Sequence, residues 1–545
     1  MRAALAGLSA SALAVIGALL MPAPALARPA AAIADSTWVD HDESPIAQPR
    51  DWQPTYWGQR YHQAVADPLS HIFDVPDKLL WAVRVVGGNT KREAVDVNAF
   101  DEAPNSSWFT NRHAMRSVPV AEMAQGPDSV FLPTKPWTIK HAKQGGVSVG
   151  FQIKDADGRK WLVKLDSRGW LQLSSGADMV ARTLIHAAGY NVPHNESVRF
   201  GRGDIVIDPA LLSGAKGELF TEADVDSALS HGATFSDGNN AATASLFVKG
   251  HALGSPSMSR RRPGDANDWY SNANRRELRG LYVVCAWVGN WDTEDHQFLD
   301  SFVTEEDSLG HVQHYVLDSG SSFGAAANGP KMLTDGYEYV VDFGWIAHRF
   351  VTLGFVEEPW RRAHQDTGIP SVGNFESVEF EPGKFRPGVP QPSFLRLTDR
   401  DGYWGAKIVA SFSNAQIGAA VDAAHYEDPR ARDYLVSNLI VRRDKIARYW
   451  FGRVAPLDYF YVADGALRFH DLATDIGLAG ARAYDVEVGG RHVHLDHAEL
   501  PLSSYGTGDS HLELEFAIAG NDARAAHVEL TRTAAGWAVT RVRHE

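Results

Sequence analysis

The chain reads as an α+β protein of two lobes, one strand-rich and one helical, preceded by an aromatic-rich extension and followed by a small β-sandwich. Three observations lead there. Apolar and polar residues alternate on both sides of an Asp157-Gly158 turn, which is hairpin patterning. Helix signals dominate from Ser413 to Trp450, with a Ser413-x-x-Gln416 capping box and an Asp428-Pro429 start. Beyond Pro456 the pattern changes to short alternating strands separated by Gly, Asp and Asn turns.

A length of 545 residues leaves room for two to four domains at roughly 100 to 200 residues each. With 44% hydrophobic and 22% charged residues the composition is that of an ordinary soluble globular chain. The net charge of -15 argues against a nucleic-acid partner, which wants a basic face. Arg2, the apolar run Ala3 to Leu20 and the small-x-small Ala25-Leu26-Ala27 predict a signal peptide over 1–27, cut after Ala27, and hence a periplasmic or secreted protein. No later apolar stretch approaches the roughly 18 residues of a membrane span. Cys285 is the single cysteine, so no intramolecular disulfide can form, and its setting LYVVCAWV makes it a buried small apolar residue.

Residues 28–133 form the extension, with Trp38, Trp52, Tyr56, Trp57 and Tyr61 suited to wrapping a core. Asp77 to Val86 is expected as a short helix stopped by Gly87-Gly88-Asn89. Asp96 to Arg112 is dense in turn formers around Trp108 and Phe109, which either pack onto a neighbour or shape a cleft.

The strand-rich lobe, 134–250, opens with the hairpin. Gly145, Gly146 and Gly150 would let backbone N–H groups approach phosphates, and Lys164 on the returning strand would neutralise them; the plain alternative is a hairpin tip and an edge lysine. A helix follows from Ser174 to Ala188, capped by Ser174 or Ser175 and closed by Gly189, with Asp178 in its first turn. Further strands are expected at Asp204 to Ile207 and Ser245 to Lys249, with a helical insert near Thr221 to Leu229. The cluster Arg260-Arg261-Arg262 is either solvated or turned toward phosphates or an acidic substrate.

The helical lobe, 270–454, starts with a helix from Asn274 to Val288 that sets Arg275, Arg276 and Arg279 on its polar side. Its apolar run ends in Gly289-Asn290-Trp291, then Asp292, and five positions later Gln297. The strand His311 to Leu317 delivers Asp318 into Ser319-Gly320-Ser321-Ser322. An acid, an amide and a later acid at a strand end form the layout phosphoryl transfer needs: Asp292 orients the attacking hydroxyl, while Gln297 and Asp318 hold the metal ion. Taken singly, Asp292 caps a turn and Asp318 ends a strand, as Asp often does. On the long helix after Pro429, Arg442, Arg443, Asp444 and Lys445 are expected as a solvated face.

Asp292-x-x-x-x-Gln297 followed by Leu317-Asp318-Ser319-Gly320 resembles the catalytic and metal loops of protein-kinase-like folds, in the variant of HipA-type, phosphatidylinositol-kinase-type and CotH-type atypical kinases. The resemblance spans roughly Trp137 to Val454 and implies a two-lobed kinase-like fold, ATP with Mg2+ or Mn2+ as cofactors, and an acid on the first helix, here Asp178, gripping Lys164. Three positions depart from the pattern: Gln297 stands for Asn, Ser319 for Phe and Asp178 for Glu. The same layout, stripped of chemistry, is that of an envelope scaffold, and the two function classes are a phosphotransferase acting on an unknown protein or envelope substrate and a non-catalytic binding protein.

The C-terminal region, 455–545, is expected to hold six strands between Tyr459 and Arg543. Within it His492-Val493-His494-Leu495-Asp496-His497 matches a hydrolase metal signature. It follows a Gly489-Gly490 turn with too little chain beyond for that fold, so an exposed strand face is expected.

Overall fold

In the computed structural model, which describes residues 38–52, 93–113, 118–126, 131–143, 147–208, 210–213, 218–219, 221–305, 308–356, 358–362, 367–505 and 510–545, helices and sheets are mixed as α+β. The expected signal peptide, the helix Asp77 to Val86, Gly145 and Gly146 lie outside those residues.

The alternating segments after Trp137 close into a six-stranded sheet. Its strands are β1 (Trp137–Ala142), β2 (Gly150–Lys154), β3 (Lys160–Leu165), β4 (Asn195–Phe200), β5 (Ile205–Ile207) and β6 (Asn240–Leu246), in the order β4-β6-β3-β2-β1-β5. All neighbours are antiparallel except β1 and β5. The Asp157-Gly158 turn joins β2 to β3, with Gly158 at φ +86°. Trp137, Ile139, Phe151, Ile153, Trp161, Val163 and Leu165 share one core on one face. Period-two alternation therefore turns Lys164 to the other face.

Helix α1 (Leu173–Ala187) packs against β4 and β6 and is buried almost all round, as expected of a helix wedged between a sheet and other helices. Its start differs from expectation. Gln172 occupies the cap position at φ +57° without its side chain capping the helix. The carboxylate of Asp166 instead accepts from the Gln172, Ser174 and Ser175 N–H groups and from the Ser175 hydroxyl. An acid can close several helix-end donors at once, which a serine cannot. With the helix beginning at Leu173, Asp178 falls in the second turn, past the reach of the helix-end charge.

Helix α2 (Arg276–Val288) runs through the largest core, crossed by α3 (Asp399–Ala410) and α5 (Pro429–Phe451), with α4 (Asn414–Asp422) beside them. The α4 capping box of Ser413 and Gln416 and the Asp428 cap of α5 form as expected, and Cys285 is buried. The arginines do not behave as read. Arg275, Arg276 and Arg279 are all buried, because acids from distant segments cover them. Arg276 pairs with Asp101 and Asp401, Arg279 with Asp401, and Arg275 with Asp268 and Glu277. Arg262 is buried on Asp300 at 2.7 Å. Arg442 turns inward too: it donates to the carbonyls of Ala286, Trp287 and Glu376. Charge runs look solvated in sequence, but a guanidinium that finds several acceptors can be buried. Trp108 and Phe109 are packed inward, Trp108 stacked on His314 with ring centroids 4.1 Å apart.

A second sheet carries β7 (His251–Gly254), β8 (Phe298–Thr304) and β9 (Leu309–Val316), with Ile46–Ala47 on the far edge of β9. After α5 the chain forms β10 (Leu457–Ala463), β11 (Ala466–Asp471), β12 (Tyr484–Val488), β13 (Arg491–Leu495), β14 (Glu499–Pro501), β15 (His511–Ile518), β16 (Asn521–Thr533) and β17 (Gly536–His544). They make a three-stranded sheet, β10-β11-β14, and a five-stranded sheet, β13-β12-β15-β16-β17. Phe460, Leu467 and Phe469 from the first share a core with Val486, Phe516 and Val528 from the second. His492, His494, Asp496 and His497 are exposed, and His494 pairs with Asp485 across the hairpin. Among the described residues, no helix is long and apolar enough to cross a membrane.

Candidate functional site

Three charged side chains meet where α1 faces the sheet. The Lys164 ammonium, one residue before the end of β3, lies 3.1 Å from Oδ2 of Asp318, just past the end of β9. The Asp178 carboxylate on α1 completes the group: Oδ2 accepts from Asn195 Nδ2 at 2.9 Å, and Oδ1 accepts from the Ser319 N–H at 3.3 Å. Asp318 is further fixed by the Gly320 N–H at 3.0 Å. Side-chain exposure is 15% for Lys164 and 37% for Asp318, so the lysine is held inside while the acid opens outward.

The direct ion pair of Lys164 is thus with Asp318, and Asp178 acts on it through space. Burial works against the Lys164 charge, but Asp318 and Asp178 outweigh it and hold its pKa above the ordinary lysine value. Burial would also raise Asp318, yet Lys164 and the Gly320 N–H bring it below the usual carboxylate range. Asp178 shows the opposite result: burial, reinforced by the Asp318 charge and only partly offset by Lys164, pushes it up to about 6. Two acids sharing one lysine cannot both be comfortable as anions.

The loop from α2 to β8 supplies the remaining candidates. Gly289 ends α2 in the left-handed conformation at φ +69°, and Arg442 holds the last turn of the helix through its carbonyls. That fixes the direction in which the chain leaves toward Asp292. Gln297 donates its side-chain N–H to Asp292 Oδ2. Its backbone carbonyl accepts from the Leu317 and Asp318 N–H groups at 2.8 and 3.4 Å. Asp292, Gln297 and Asp318 are therefore brought to one place by main-chain and side-chain bonds. With its nitrogen spent on Asp292, Gln297 keeps the carbonyl oxygen as the atom a hard cation would take.

Gly150 sits in β2 directly opposite Lys164. A Cβ there would come 2.1 Å from the Val163 carbonyl oxygen, so this glycine serves close strand approach. Lys143, just after β1, donates to the Ser148 carbonyl at 3.0 Å. Burial and the Lys164 charge lower its pKa, against the pull of Asp318, which puts a second ammonium in reach of the same field.

Several residues of the site were invisible to motif reading. Asp166 has the signal of an acid upstream of a helix, but its distance from Ser174 hides the cap. Asn195 carries no sequence signal and Arg442 is read as part of a solvated face, since each acts on atoms brought near only by folding.

No family model matches the chain, and no curated protein matches it. Among solved structures it is similar to the Golgi casein kinase with Mn/ADP bound, at 12% identity over 58% of this chain and 72% of that one, with a TM-score of 0.27. Another structure of the Golgi casein kinase gives 12% identity, 58% and 71% coverage and a TM-score of 0.29. The Helicobacter pylori proinflammatory kinase CtkA gives 10% identity, 59% and 97% coverage and a TM-score of 0.30. Likeness of this low degree carries no argument for this chain, whose reading rests on its own geometry.

Proposed function

We propose that this chain is an exported, two-lobed, protein-kinase-like phosphotransferase that uses ATP with Mg2+ or Mn2+ on a hydroxyl acceptor. One observation carries the reading: the Lys164–Asp318 ion pair, backed by the buried Asp178 carboxylate. A lysine and an acid held 3.1 Å apart are the two groups that a nucleotide–metal complex would separate, the ammonium going to phosphate oxygens and the carboxylate to the ion. Asp178 then keeps Lys164 charged and in place. Gln297 would offer its carbonyl oxygen to the metal, and Asp292 would orient the acceptor hydroxyl. The bound ion would neutralise phosphate charge.

The same reading takes 134–250 and 270–454 as the two lobes, 28–133 as a wrap, and 455–545 as an appended β-sandwich. Supporting it are the separate cores of the six-stranded sheet and the C-terminal sheets, while α1 shares the core of the helical body. Gly145 and Gly146, which lie between β1 and β2 in sequence, are proposed to approach the phosphates.

One observation favours the second reading, a non-catalytic envelope binding protein: Asp292 already accepts a hydrogen bond from Gln297, which engages one of its two carboxylate oxygens. Calorimetric titration with ATP and Mg2+ or Mn2+, followed by a phosphate-transfer assay on generic hydroxyl acceptors, decides between them. Binding with transfer is the expected result. Absence of any nucleotide binding would overturn the kinase-like reading, and binding without transfer would favour a regulatory role.

A further inference from the structure

The loop between α2 and β8 carries a donor set in which Asp292, assigned to the acceptor hydroxyl, is joined by Glu294 and His296, which the nucleotide reading does not use. Asp292, Glu294 and His296 stand at alternate positions, and one ligand atom from each lies within 4.8 Å of the others. Glu294 is extended, and the single 3-10 turn Asp295–Gln297 brings His296 back beside it. His296 Nδ1 ends 3.2 Å from Glu294 Oε2. Two donors bound at about 2.1 Å to one tetrahedral ion are about 3.4 Å apart, so this pair already has the spacing of neighbouring ligands.

The surroundings agree. Glu294 is buried, which a carboxylate tolerates only with strong partners. Gln297 donates to Asp292 Oδ2 and so fixes the rotation of one ligand from behind, as outer hydrogen bonds do for metal-binding carboxylates. In the same loop Thr293 is 1% exposed and its Oγ1 has no hydrogen-bond partner among the described residues. A buried hydroxyl left so is a place where a bound ion's water shell would be satisfied.

We infer that Asp292, Glu294 and His296 form a site for a divalent transition ion, Zn2+ first and Mn2+ second, whose ligands do not include the Asp318 carboxylate. The imidazole sets the class: Mg2+ prefers an all-oxygen shell, whereas nitrogen with carboxylates suits first-row transition ions, and zinc binds such sets more tightly than manganese. Three protein ligands leave a position open, the form of a site that takes water or a substrate oxygen. The site stands whether or not the chain binds ATP.

The test uses the full chain without a histidine tag, stripped by chelator and titrated with Zn2+, Mn2+ or Mg2+ alone, with no nucleotide. Calorimetry and competition against a chromophoric chelator should give one equivalent of Zn2+, at least tenfold weaker Mn2+ and no Mg2+. His296→Ala and Glu294→Gln should each lose that equivalent while keeping the wild-type circular dichroism spectrum. Asp318→Asn should keep it, as should His494→Ala, which removes the exposed imidazole paired with Asp485. The inference fails if both loop variants bind Zn2+ as wild type does, or if the equivalent is lost in Asp318→Asn or His494→Ala. A wild type that binds Zn2+ but not ATP would overturn the phosphotransferase reading and leave this one intact.

Discussion

Asp101 and His544, 443 positions apart, are joined twice: Asp101 Oδ2 accepts from the His544 backbone N–H at 3.1 Å and from its Nδ1 at 2.9 Å. The other ring nitrogen donates to the Leu457 carbonyl at 3.0 Å. With an acceptor at each nitrogen, the ring must carry both protons and is an imidazolium.

That charge makes stability depend on pH. Burial alone would lower the His544 pKa, but Asp458 and Asp101 raise it above the ordinary histidine value. A folded pKa above the unfolded one of about 6.5 gives stabilisation that is complete below that value. It is lost as pH rises through the folded pKa. Thermal unfolding of the wild type should therefore weaken on the alkaline side. His544→Gln should lower the melting temperature at pH 6, by the equivalent of about 3 kcal/mol if it behaves as a broken buried pair, and should flatten the alkaline slope. A variant whose melting curve keeps the wild-type slope would refute the assignment.

Asp318 and Asp292 should separate binding from turnover. Asp318→Ala removes the partner of Lys164 and is expected to abolish nucleotide–metal binding in calorimetry. Asp292→Ala should bind nucleotide nearly as wild type does and transfer phosphate about 10²-fold more slowly or worse, if Asp292 orients the hydroxyl. Two variants that bind and react like wild type would remove both residues from the chemistry.

Asp166 is predicted to hold the site from outside it. Its carboxylate gathers four donors at the head of α1, the helix that carries Asp178. Asp166→Ala strands those donors in a buried setting and should cost about 3 kcal/mol in urea unfolding. Asp166→Asn keeps one acceptor oxygen and should recover part of the loss. Equal midpoints for all three proteins would show that water replaces the cap.

Gly189→Ala should destabilise the chain by about 2 kcal/mol or more, read as a lower denaturant midpoint at unchanged slope. The residue has φ +123°, and a Cβ there would come 2.1 Å from Phe109 Cε2. Phe109→Leu combined with Gly189→Ala should cost less than the sum of the two alone, since the ring is the nearest obstacle, with the Thr110 carbonyl oxygen next at 2.6 Å.

Local rules carried the sequence reading as far as local physics decides the outcome. The Asp157-Gly158 hairpin, the Ser413 capping box and the strand His511–Ile518 are each set by neighbours in the chain, and the structure has them. The order Lys164, Asp178, Asp318 was legible through its resemblance to the loops of kinase-like folds, and the three side chains do meet. What stayed hidden depends on remote partners. The burial of Arg262, Arg275, Arg276, Arg279 and Arg442 stayed hidden because their acceptors, such as Asp300, Asp101, Asp401 and the carbonyl of Trp287, are distant in the chain. The same holds for Gly150, whose need for close approach is set by the strand opposite, and for the loop ligands, whose convergence takes a 3-10 turn.

The bonds of Asp101 also bear on how the chain reaches its native state. That one carboxylate serves Arg276, Arg400 and His544, which come from three well-separated parts of the sequence. Contacts of such long range form only after large loops have closed, and folding dominated by them is slow. Until β17 arrives, Arg276 and Arg400 must share Asp101 without the third cation, so the helical body can assemble early but cannot lock. The chain is thus expected to pass through a loosened intermediate whose lifetime is set by docking of the C-terminal sheet, and a refolding experiment should show secondary structure returning well before the buried charges lose their access to solvent.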